Sequence, residues 1–285
     1  MRIRSLEGNR QKLDGGAMFG HAPKVLWEKW LTPDENNQIE LACRSLLVEI
    51  QDRKILLEAG IGAFFEPRLA KRYGVQSKNH ELLKSLKRVN IDPNEITDII
   101  LSHMHFDHAG GLLPAYGNGE ELVFPNARYF ISEESWRRAM NPHPRDKASF
   151  IEGLTDKIKK THRLHLIKNE GTLHEDLPDF SCFFSEGHTP GQMHTMIQGQ
   201  DKALVFTGDL IPGSPWIHVP ITMGYDRFPE LVIEEKEKLY QTAYPKKWWL
   251  FFTHDPQHTH CQVSKNEKNQ FYGANLQTMM DEINF

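Results

Sequence analysis

Cysteine is scarce in this chain, and its few cysteines do not form the patterns of a disulfide framework. Of 285 residues only three are cysteine, namely Cys43, Cys182 and Cys261. They are odd in number and far apart, and none belongs to a Cys-x-x-Cys pair. Such usage is typical of proteins from reducing compartments. The sequence therefore predicts a cytoplasmic protein without disulfide bonds.

Long apolar runs are absent as well. The longest, such as Trp248 to Phe252, is far shorter than the roughly 20 residues that a membrane-spanning helix needs. The segment from Met1 to Gly20 is polar and lacks the apolar centre of a secretory signal. We therefore expect a soluble protein that has no membrane partner.

Positive charge is not in excess. The chain has 34 lysines and arginines against 38 aspartates and glutamates, which gives a formal net charge of −4. Proteins that bind nucleic acids through phosphate contacts usually present a basic face. The mild negative charge and the absence of a basic cluster in the loops count against binding of this kind, so we expect no nucleic-acid partner.

Repeats and low-complexity linkers are missing too, while the composition is that of a globular protein. Charged residues make up 25% and hydrophobic residues 39% of the chain, which excludes disorder and coiled coil as the main class. Without an internal repeat or a linker, there is no clear domain boundary. The sequence predicts one domain over residues 1–285, with a helical and loop insertion at about 132–178.

The apolar runs predict strands and helices in a mixed order. Two runs, Arg44 to Ile50 and Lys54 to Ala59, flank a short polar turn and predict a β-hairpin. Leucines at helical spacing predict a helix over His80 to Val89. Residues 141–176 are polar, and we interpret them as a helix with loops. Further strands are predicted at Ile96–Ser102, Arg128–Ser132, Phe180–Ser185, Ala203–Thr207 and Trp248–Thr253, and further helices at Glu133–Met140 and Pro229–Tyr244. Because tight turns join some neighbouring strands, the order favours an α+β fold in which helices cover sheets.

Histidine is the residue that is abundant, with 15 in the chain. The segment from His103 to His108 reads H-x-H-x-D-H and directly follows a predicted buried strand. Imidazole and carboxylate groups are good ligands for zinc and similar divalent ions. In extended chain, residues i and i+2 point to the same side, so His103 and His105 can converge on one ion. The turn at Asp107 and His108 then directs two more ligands to a neighbouring point.

Three other predicted strands also end in potential ligands. They lead to His188, Asp209 and His254 respectively. Taken alone, a polar residue at a strand end is more often a capping or hydrogen-bonding group than a metal ligand. Their order in the chain and the apolar strands before them favour the metal-binding interpretation.

This set of motifs resembles the metallo-β-lactamase-fold hydrolases over about Leu46 to Asp255. The resemblance implies an α+β fold of that type, an αββα sandwich with two central sheets flanked by helices. It also implies a dinuclear site for two divalent ions; zinc is the expected metal, while manganese, iron and cobalt stay open. By position, the resemblance assigns His103, His105 and His188 to the first ion, Asp107, His108 and His254 to the second, and Asp209 to both.

A narrower resemblance concerns an N-terminal signature segment at about residues 14–41. Its sequence, from Asp14 to Gly20 and onward through Trp27, is similar to that of the YtnP-type probable quorum-quenching lactonases. One position departs from related lactonases. Many acyl-homoserine lactonases have a tyrosine three residues after the bridging aspartate, and this chain has Pro212 there. His218 and Tyr225 are the weak candidates to replace that tyrosine.

The resemblance implies hydrolysis of a lactone or carboxylic ester by a hydroxide held between two ions. Asp107 and Asp209 are the predicted catalytic carboxylates, and Asp209 would move the proton to the leaving group. A small-molecule lactone or ester is the expected partner, and the choice between monomer and homodimer stays open. The alternatives are a hydrolase of phosphoester or thioester bonds with the same fold, and a binding protein without catalysis.

Apolar residues near these motifs are candidates for the substrate pocket, because a pocket for an acyl chain or an aromatic ester would be apolar around a polar metal centre. For each residue taken singly, an ordinary place in the hydrophobic core is an equally good interpretation. The candidates are Met18, Phe19, Trp27, Phe106, Ile217, Met223 and Tyr225.

Overall fold

The computed structural model describes residues 1–280 and the backbone of residues 283–284. Its strands are β1 (Arg2–Leu6), β2 (Gln11–Asp14), β3 (Gln38–Leu41), β4 (Ser45–Ile50), β5 (Arg53–Leu57), β6 (Asp98–Ile100), β7 (Arg128–Ser132), β8 (Leu164–Ile167), β9 (Gly171–Thr172), β10 (Phe180–Ser185), β11 (Gln192–Gln198), β12 (Ala203–Phe206), β13 (Trp249–Phe251), β14 (His260–Lys265), β15 (Phe271–Gln277) and β16 (Ile283–Asn284).

Eight α-helices and several short 3₁₀ helices are found among the described residues. The α-helices are α1 (Gly15–Phe19), α2 (Lys24–Trp27), α3 (Pro67–Arg72), α4 (Glu81–Arg88), α5 (Phe106–Ala109), α6 (Glu133–Met140), α7 (Leu154–Lys160) and α8 (Pro229–Lys246). The 3₁₀ helices are Pro93–Glu95, Gly110–Leu112, Lys147–Ser149, Gly208–Leu210 and Ser214–Ile217. Among these residues, none of the helices is both long and apolar enough to cross a membrane.

The chain divides into two compact units. The first comprises Met1–Gln11, Ala42–Lys168 and residues 283–284, and the second is formed by Lys12–Leu41 and Asn169–Met280. The single domain over residues 1–285 therefore stays a prediction.

A seven-stranded mixed sheet forms the centre of the first unit, in the order β16-β1-β4-β5-β6-β7-β8. The predicted hairpin is present as β4 and β5, which pair antiparallel, whereas β5, β6, β7 and β8 run parallel. Leu47 and Leu56 are opposite one another in the hairpin, and both are buried against α4. Leu82 and Leu86 of α4 are buried in the same core, as the leucine spacing predicts.

The second unit has its own seven-stranded sheet, in the order β15-β14-β13-β12-β11-β10-β9. Strands β12 and β13 run parallel, and the other neighbouring pairs run antiparallel. Leu239 and Tyr240 of α8 pack with the strand residues Val205 and Leu250. Burial of these apolar side chains holds the long helix against the sheet.

The prediction of helix and loops for residues 141–176 is wrong in one respect. Helix α7 is present, but Leu164–Ile167 forms β8, an edge strand that pairs parallel with β7. Residues 171–172 also pair, as β9 at the edge of the second sheet. All four residues of β8 are half-buried, so the segment lacks the strong apolar signal that predicts a central strand.

Candidate metal centre

The first group of candidate ligands lies where β6 ends. Strand β6 stops at Ile100, and His103 follows three residues later. Because β5, β6 and β7 are parallel, their carboxyl ends lie at the same edge of the sheet, and Glu58 follows β5 at that edge. Ligands at strand ends are held by a rigid sheet while their side chains stay outside its hydrogen-bonded ladder.

The four predicted ligands of this segment converge. His103 Nε2 lies 2.9 Å from His105 Nδ1, and His108 Nε2 lies 3.8 Å from Asp107 Oδ1. A ligand atom of His108 is also within 4.8 Å of one on His103. The three histidines are buried and Asp107 is half-buried. Three imidazoles and one carboxylate that converge at a largely buried position are a suitable set of donors for divalent metal ions.

Neighbouring polar groups orient these ligands. Ser102 Oγ lies 2.9 Å from His103 Nδ1, and the Gln11 amide donates to Asp107 Oδ2 at 3.0 Å. Glu58 is fully buried; one of its oxygens lies 3.2 Å from His108 Nδ1, and the other accepts from the Ser102 backbone N–H at 2.7 Å. Such partners fix the orientation and tautomer of a ligating histidine.

Two glycines after the motif allow the chain to approach closely the segment that follows β5. A Cβ at Gly111 would lie 1.9 Å from the carbonyl oxygen of Ala59, and one at Gly110 would lie 2.3 Å from that of Ile61. Any side chain there would force the backbones apart. These contacts explain why the motif continues as Ala-Gly-Gly, and they fix α5 against the segment that carries Glu58.

The second group of ligands lies at three strand ends in the second unit. Strand β10 ends at Ser185, β12 at Phe206 and β13 at Phe251. In each case the predicted ligand follows three residues later, as His188, Asp209 and His254. Strands β12 and β13 are paired in parallel, so their ends lie at one edge, and β10 runs in the same direction across the antiparallel β11.

Asp209 lies between the two histidines of this group. Its Oδ2 is 3.3 Å from His188 Nε2, and its Oδ1 is 3.2 Å from His254 Nε2. All three side chains are buried. A carboxylate with each oxygen directed to a different imidazole is arranged as a carboxylate that bridges two ions would be.

Two acidic residues that position His188 could not be recognised in the sequence. Asp226 Oδ1 lies 2.8 Å from His188 Nδ1, and its other oxygen accepts from the Met223 backbone N–H at 2.7 Å. Glu235 of α8 accepts from the backbone N–H groups of Glu186 and Gly187, just before the histidine. Burial raises the pKa of Glu235, although these two hydrogen bonds oppose the shift.

Asp226→Asn is expected to weaken metal binding by about 10- to 100-fold, because the carboxylate holds the Nδ1 proton of His188 and thereby leaves Nε2 free for a metal. An amide that still accepts from Met223 N–H must turn its NH₂ group toward His188 Nδ1, which disfavours that tautomer. Competition with a chromophoric chelator measures the affinity. Asp201→Asn, at an exposed turn, is the matched control. Equal affinities for the two variants would contradict the positioning role.

The N-terminal candidates for the substrate pocket lie in a buried cluster of the second unit. Met18, Phe19 and Trp27 have exposures of 2%, 0% and 1%. Phe19 is stacked between Trp27 and Trp216, with ring centroids 5.3 and 4.6 Å apart. Met223 belongs to the same cluster. These residues form a hydrophobic core in the second unit, and their contact with a substrate stays a prediction.

The remaining candidates differ in exposure. Ile217 is fully buried beneath α8, whereas Tyr225 is 43% exposed. Phe106 is nearly buried in the first unit and packs against Phe65 and Tyr73. His218 is half-buried and stacks on an indole ring. None of these positions tests the predicted substrate role, which stays a prediction.

Two buried groups near the ligands have structural partners. Pro212, at the position of the missing tyrosine, accepts a hydrogen bond through its carbonyl from the His254 backbone N–H at 2.8 Å. His194 lies 2.7 Å from Ser185 Oγ, and burial lowers its pKa to about 3. His194 is therefore neutral at physiological pH.

The chain belongs to the metallo-beta-lactamase superfamily, whose family model matches residues 39–254. The predicted α+β fold class of the metallo-β-lactamase type is thereby confirmed, and the family together with the His and Asp groups supports divalent metal binding by a hydrolase.

Its relatives include lactonases. The N-acyl homoserine lactonase AiiA of Bacillus thuringiensis subsp. kurstaki is 25% identical over 249 residues, which cover 82% of this chain and 88% of that protein. A solved structure of a probable metal-dependent hydrolase from Staphylococcus aureus is 28% identical, with a TM-score of 0.85 and 96% of each chain covered. The dizinc quorum-quenching lactonase AidC, at 23% identity, shares the fold with a TM-score of 0.74 over 95% of this chain and 93% of its own.

Proposed function

We propose that the two groups of ligands form one dinuclear metal centre that opens lactone or carboxylic ester bonds. The observation that carries the proposal is the position of Asp209, whose two oxygens each lie 3.2–3.3 Å from a different histidine. Membership of the superfamily and the similarity to N-acyl homoserine lactonases support the same reaction class.

The proposed ligand sets follow the family pattern. His103, His105 and His188 hold one ion, and Asp107, His108 and His254 hold the other, with Asp209 shared by both. When bound, two divalent ions supply a Lewis acid and lower the pKa of water to about 7. Zinc is the expected metal on the basis of the nitrogen-rich donor set, and manganese, iron and cobalt are the alternatives.

The protein's own groups orient the reaction. The Asp209 carboxylate, held between two imidazoles, is placed to carry a proton to the leaving alkoxide. The Gln11 amide, which donates to Asp107 Oδ2, fixes one carboxylate oxygen of the second set. Asp226 and Glu58 hold the outer nitrogens of His188 and His108.

The relatives and the sequence support a substrate class and a cellular location. Lactone hydrolysis by the relatives supports a small-molecule lactone substrate, with quorum-quenching lactonase as the specific activity proposed. A cytoplasmic location is supported by the cysteines, all of which lie within the described residues, are buried and are not joined by disulfide bonds. The choice between monomer and homodimer stays open.

The purified protein is expected to contain two divalent ions per chain and to hydrolyse lactones. Elemental analysis gives the metal content, and kcat/KM is measured on N-acyl homoserine lactones of increasing acyl length, aryl esters, aryl phosphotriesters, cyclic phosphodiesters and thioesters. Chelator-treated protein is the control, and its activity should return when zinc is added. Less than one metal equivalent, or lactone and ester rates at background beside strong phosphoester or thioester turnover, would overturn the proposal.

A further inference from the structure

Lys236 is a fully buried lysine in the middle of α8. Its ammonium group donates three hydrogen bonds, to the carbonyl oxygens of Trp216 at 3.0 Å, His218 at 3.0 Å and Ile221 at 2.7 Å. A protonated lysine has three N–H donors, so every one of them has an acceptor in this segment. One side chain thus binds most of the turn between Trp216 and Ile221.

The segment bound by Lys236 borders a cavity of about 450 Å³ in the second unit. His218 lines this cavity and stacks on Trp30, with ring centroids 5.1 Å apart. The lining also includes Tyr272 and Asp255, and Asp255 is the neighbour in sequence of the proposed ligand His254. The cavity therefore adjoins the chain segment that carries part of the proposed metal centre.

We propose that Lys236 is a positioning residue for substrate binding, because it fixes the segment from which His218 lines the cavity that Asp255 also borders. This role rests on the proposed hydrolase function. Lys236 touches none of the seven proposed ligands in the structure described. It acts on that segment through three backbone carbonyls, so it affects how well substrate is held more than the chemistry at the ligands.

Several titratable groups surround Lys236. Burial lowers its pKa to about 7, and the Asp226 carboxylate opposes that shift. His218, whose pKa burial and the lysine charge both lower, faces it from the bound segment, and Glu235 precedes it on α8. The Tyr240 hydroxyl donates to the Ile217 carbonyl from the next turn of the same helix. Lysine and tyrosine together bind four carbonyls of one segment.

The titration of Lys236 makes the free energy of unfolding depend on pH, which a side chain that does not titrate cannot do. Its pKa is about 7 in the folded protein against 10.5 for an ordinary lysine. Between these values the unfolded chain binds more protons than the folded one, so this group makes the free energy of unfolding rise with pH. The rise is complete above the ordinary pKa and absent below about pH 7, and it is lost when the lysine is removed.

The test compares Lys236→Met with Lys238→Met, an exposed lysine two residues further along the same helix. In Lys236→Met, amide hydrogen exchange over residues 214–226 should become at least about tenfold faster, and KM should rise about tenfold, which corresponds to about 1.4 kcal/mol. The kcat and the metal content should stay within about threefold of wild type. The thermal midpoint should increase less between pH 7 and pH 10 than it does in wild type.

Lys238→Met should match wild type in every measurement. If Lys236→Met does not fold, Lys236→Gln, which keeps two N–H donors, carries the same test with smaller changes.

The outcomes separate this inference from the proposed function. Unchanged exchange and KM in Lys236→Met, or a fall in kcat with metal loss at constant KM, would overturn the positioning role alone. A wild type that hydrolyses no lactone or ester overturns the proposed function and, with it, this role in substrate binding.

Discussion

Asp209→Ala should reduce hydrolysis on the order of 10³-fold while the fold is kept. The carboxylate is the group that the two proposed ligand sets share, so its loss removes a ligand from both ions and the proposed proton carrier together. Its side chain lies between His188 and His254, which are themselves proposed ligands, so its removal acts directly on the proposed centre. The Asp209 backbone N–H, which donates to Gln192 Oε1 at 3.3 Å, is unchanged in the variant.

The measurements are kcat/KM on the lactone series, metal content by elemental analysis, and the circular dichroism spectrum. Asp201→Ala removes an exposed carboxylate and should leave all three as in wild type. Hydrolysis within about tenfold of wild type, with two ions still bound, would show that Asp209 is not the shared ligand. A comparable loss of activity and of the dichroism signal would mean that the residue serves folding and not chemistry.

Trp27→Ala is expected to lower the free energy of unfolding by about 3–5 kcal/mol. Its indole is 1% exposed and stacked on Phe19, which in turn stacks on Trp216. Truncation therefore leaves a cavity beside Phe19 and removes its stacking contact with Trp27. Urea unfolding followed by circular dichroism measures the change.

Leu26→Ala is the matched control, because Leu26 is the neighbouring residue in α2 and is 40% exposed. It should cost less than about 1 kcal/mol, as surface substitutions usually do. If Trp27→Ala were as stable as Leu26→Ala and changed only the preference for acyl length, the indole would be a pocket wall and not a core residue.

The candidate metal ligands are the part of the site whose grouping can be recognised in the sequence, and their role as ligands stays a prediction. H-x-H-x-D-H places four donors in six residues, and a local pattern of this kind needs no knowledge of the tertiary structure. His188, Asp209 and His254 are each preceded by an apolar strand that ends three residues earlier. The same offset separates His103 from the end of β6, although the sequence places the ends of three of these strands later, at Ser102, Thr207 and Thr253.

The groups that orient the ligands could not be predicted. Asp226 is 38 positions from His188 in the chain, and Glu58 is 50 positions from His108, since 108 − 58 = 50. No local spacing distinguishes such acids from the solvated ones. Lys236 is similarly hidden, because it lies in an otherwise charged helix whose sequence predicts an exposed lysine.

The substrate-pocket residues and the edge strand β8 are also difficult to predict from the sequence. The sequence cannot distinguish pocket residues from core residues at Met18, Phe19 and Trp27, because the same apolar residue types occur in both places. Strand β8 has a half-buried edge position, so its side chains are not the continuous apolar run of a central strand.

The two groups of ligands differ in how much folded chain each requires. His103 to His108 are close in sequence, so we expect an unfolded chain to be able to bind an ion there, whereas His188, Asp209 and His254 meet only after β10, β12 and β13 have assembled. An ion stabilises the native state only by the difference between its affinities for the folded and unfolded chains. In the proposed centre, we therefore expect the thermodynamic linkage between metal binding and folding to come mainly from the dispersed group and less from the contiguous motif.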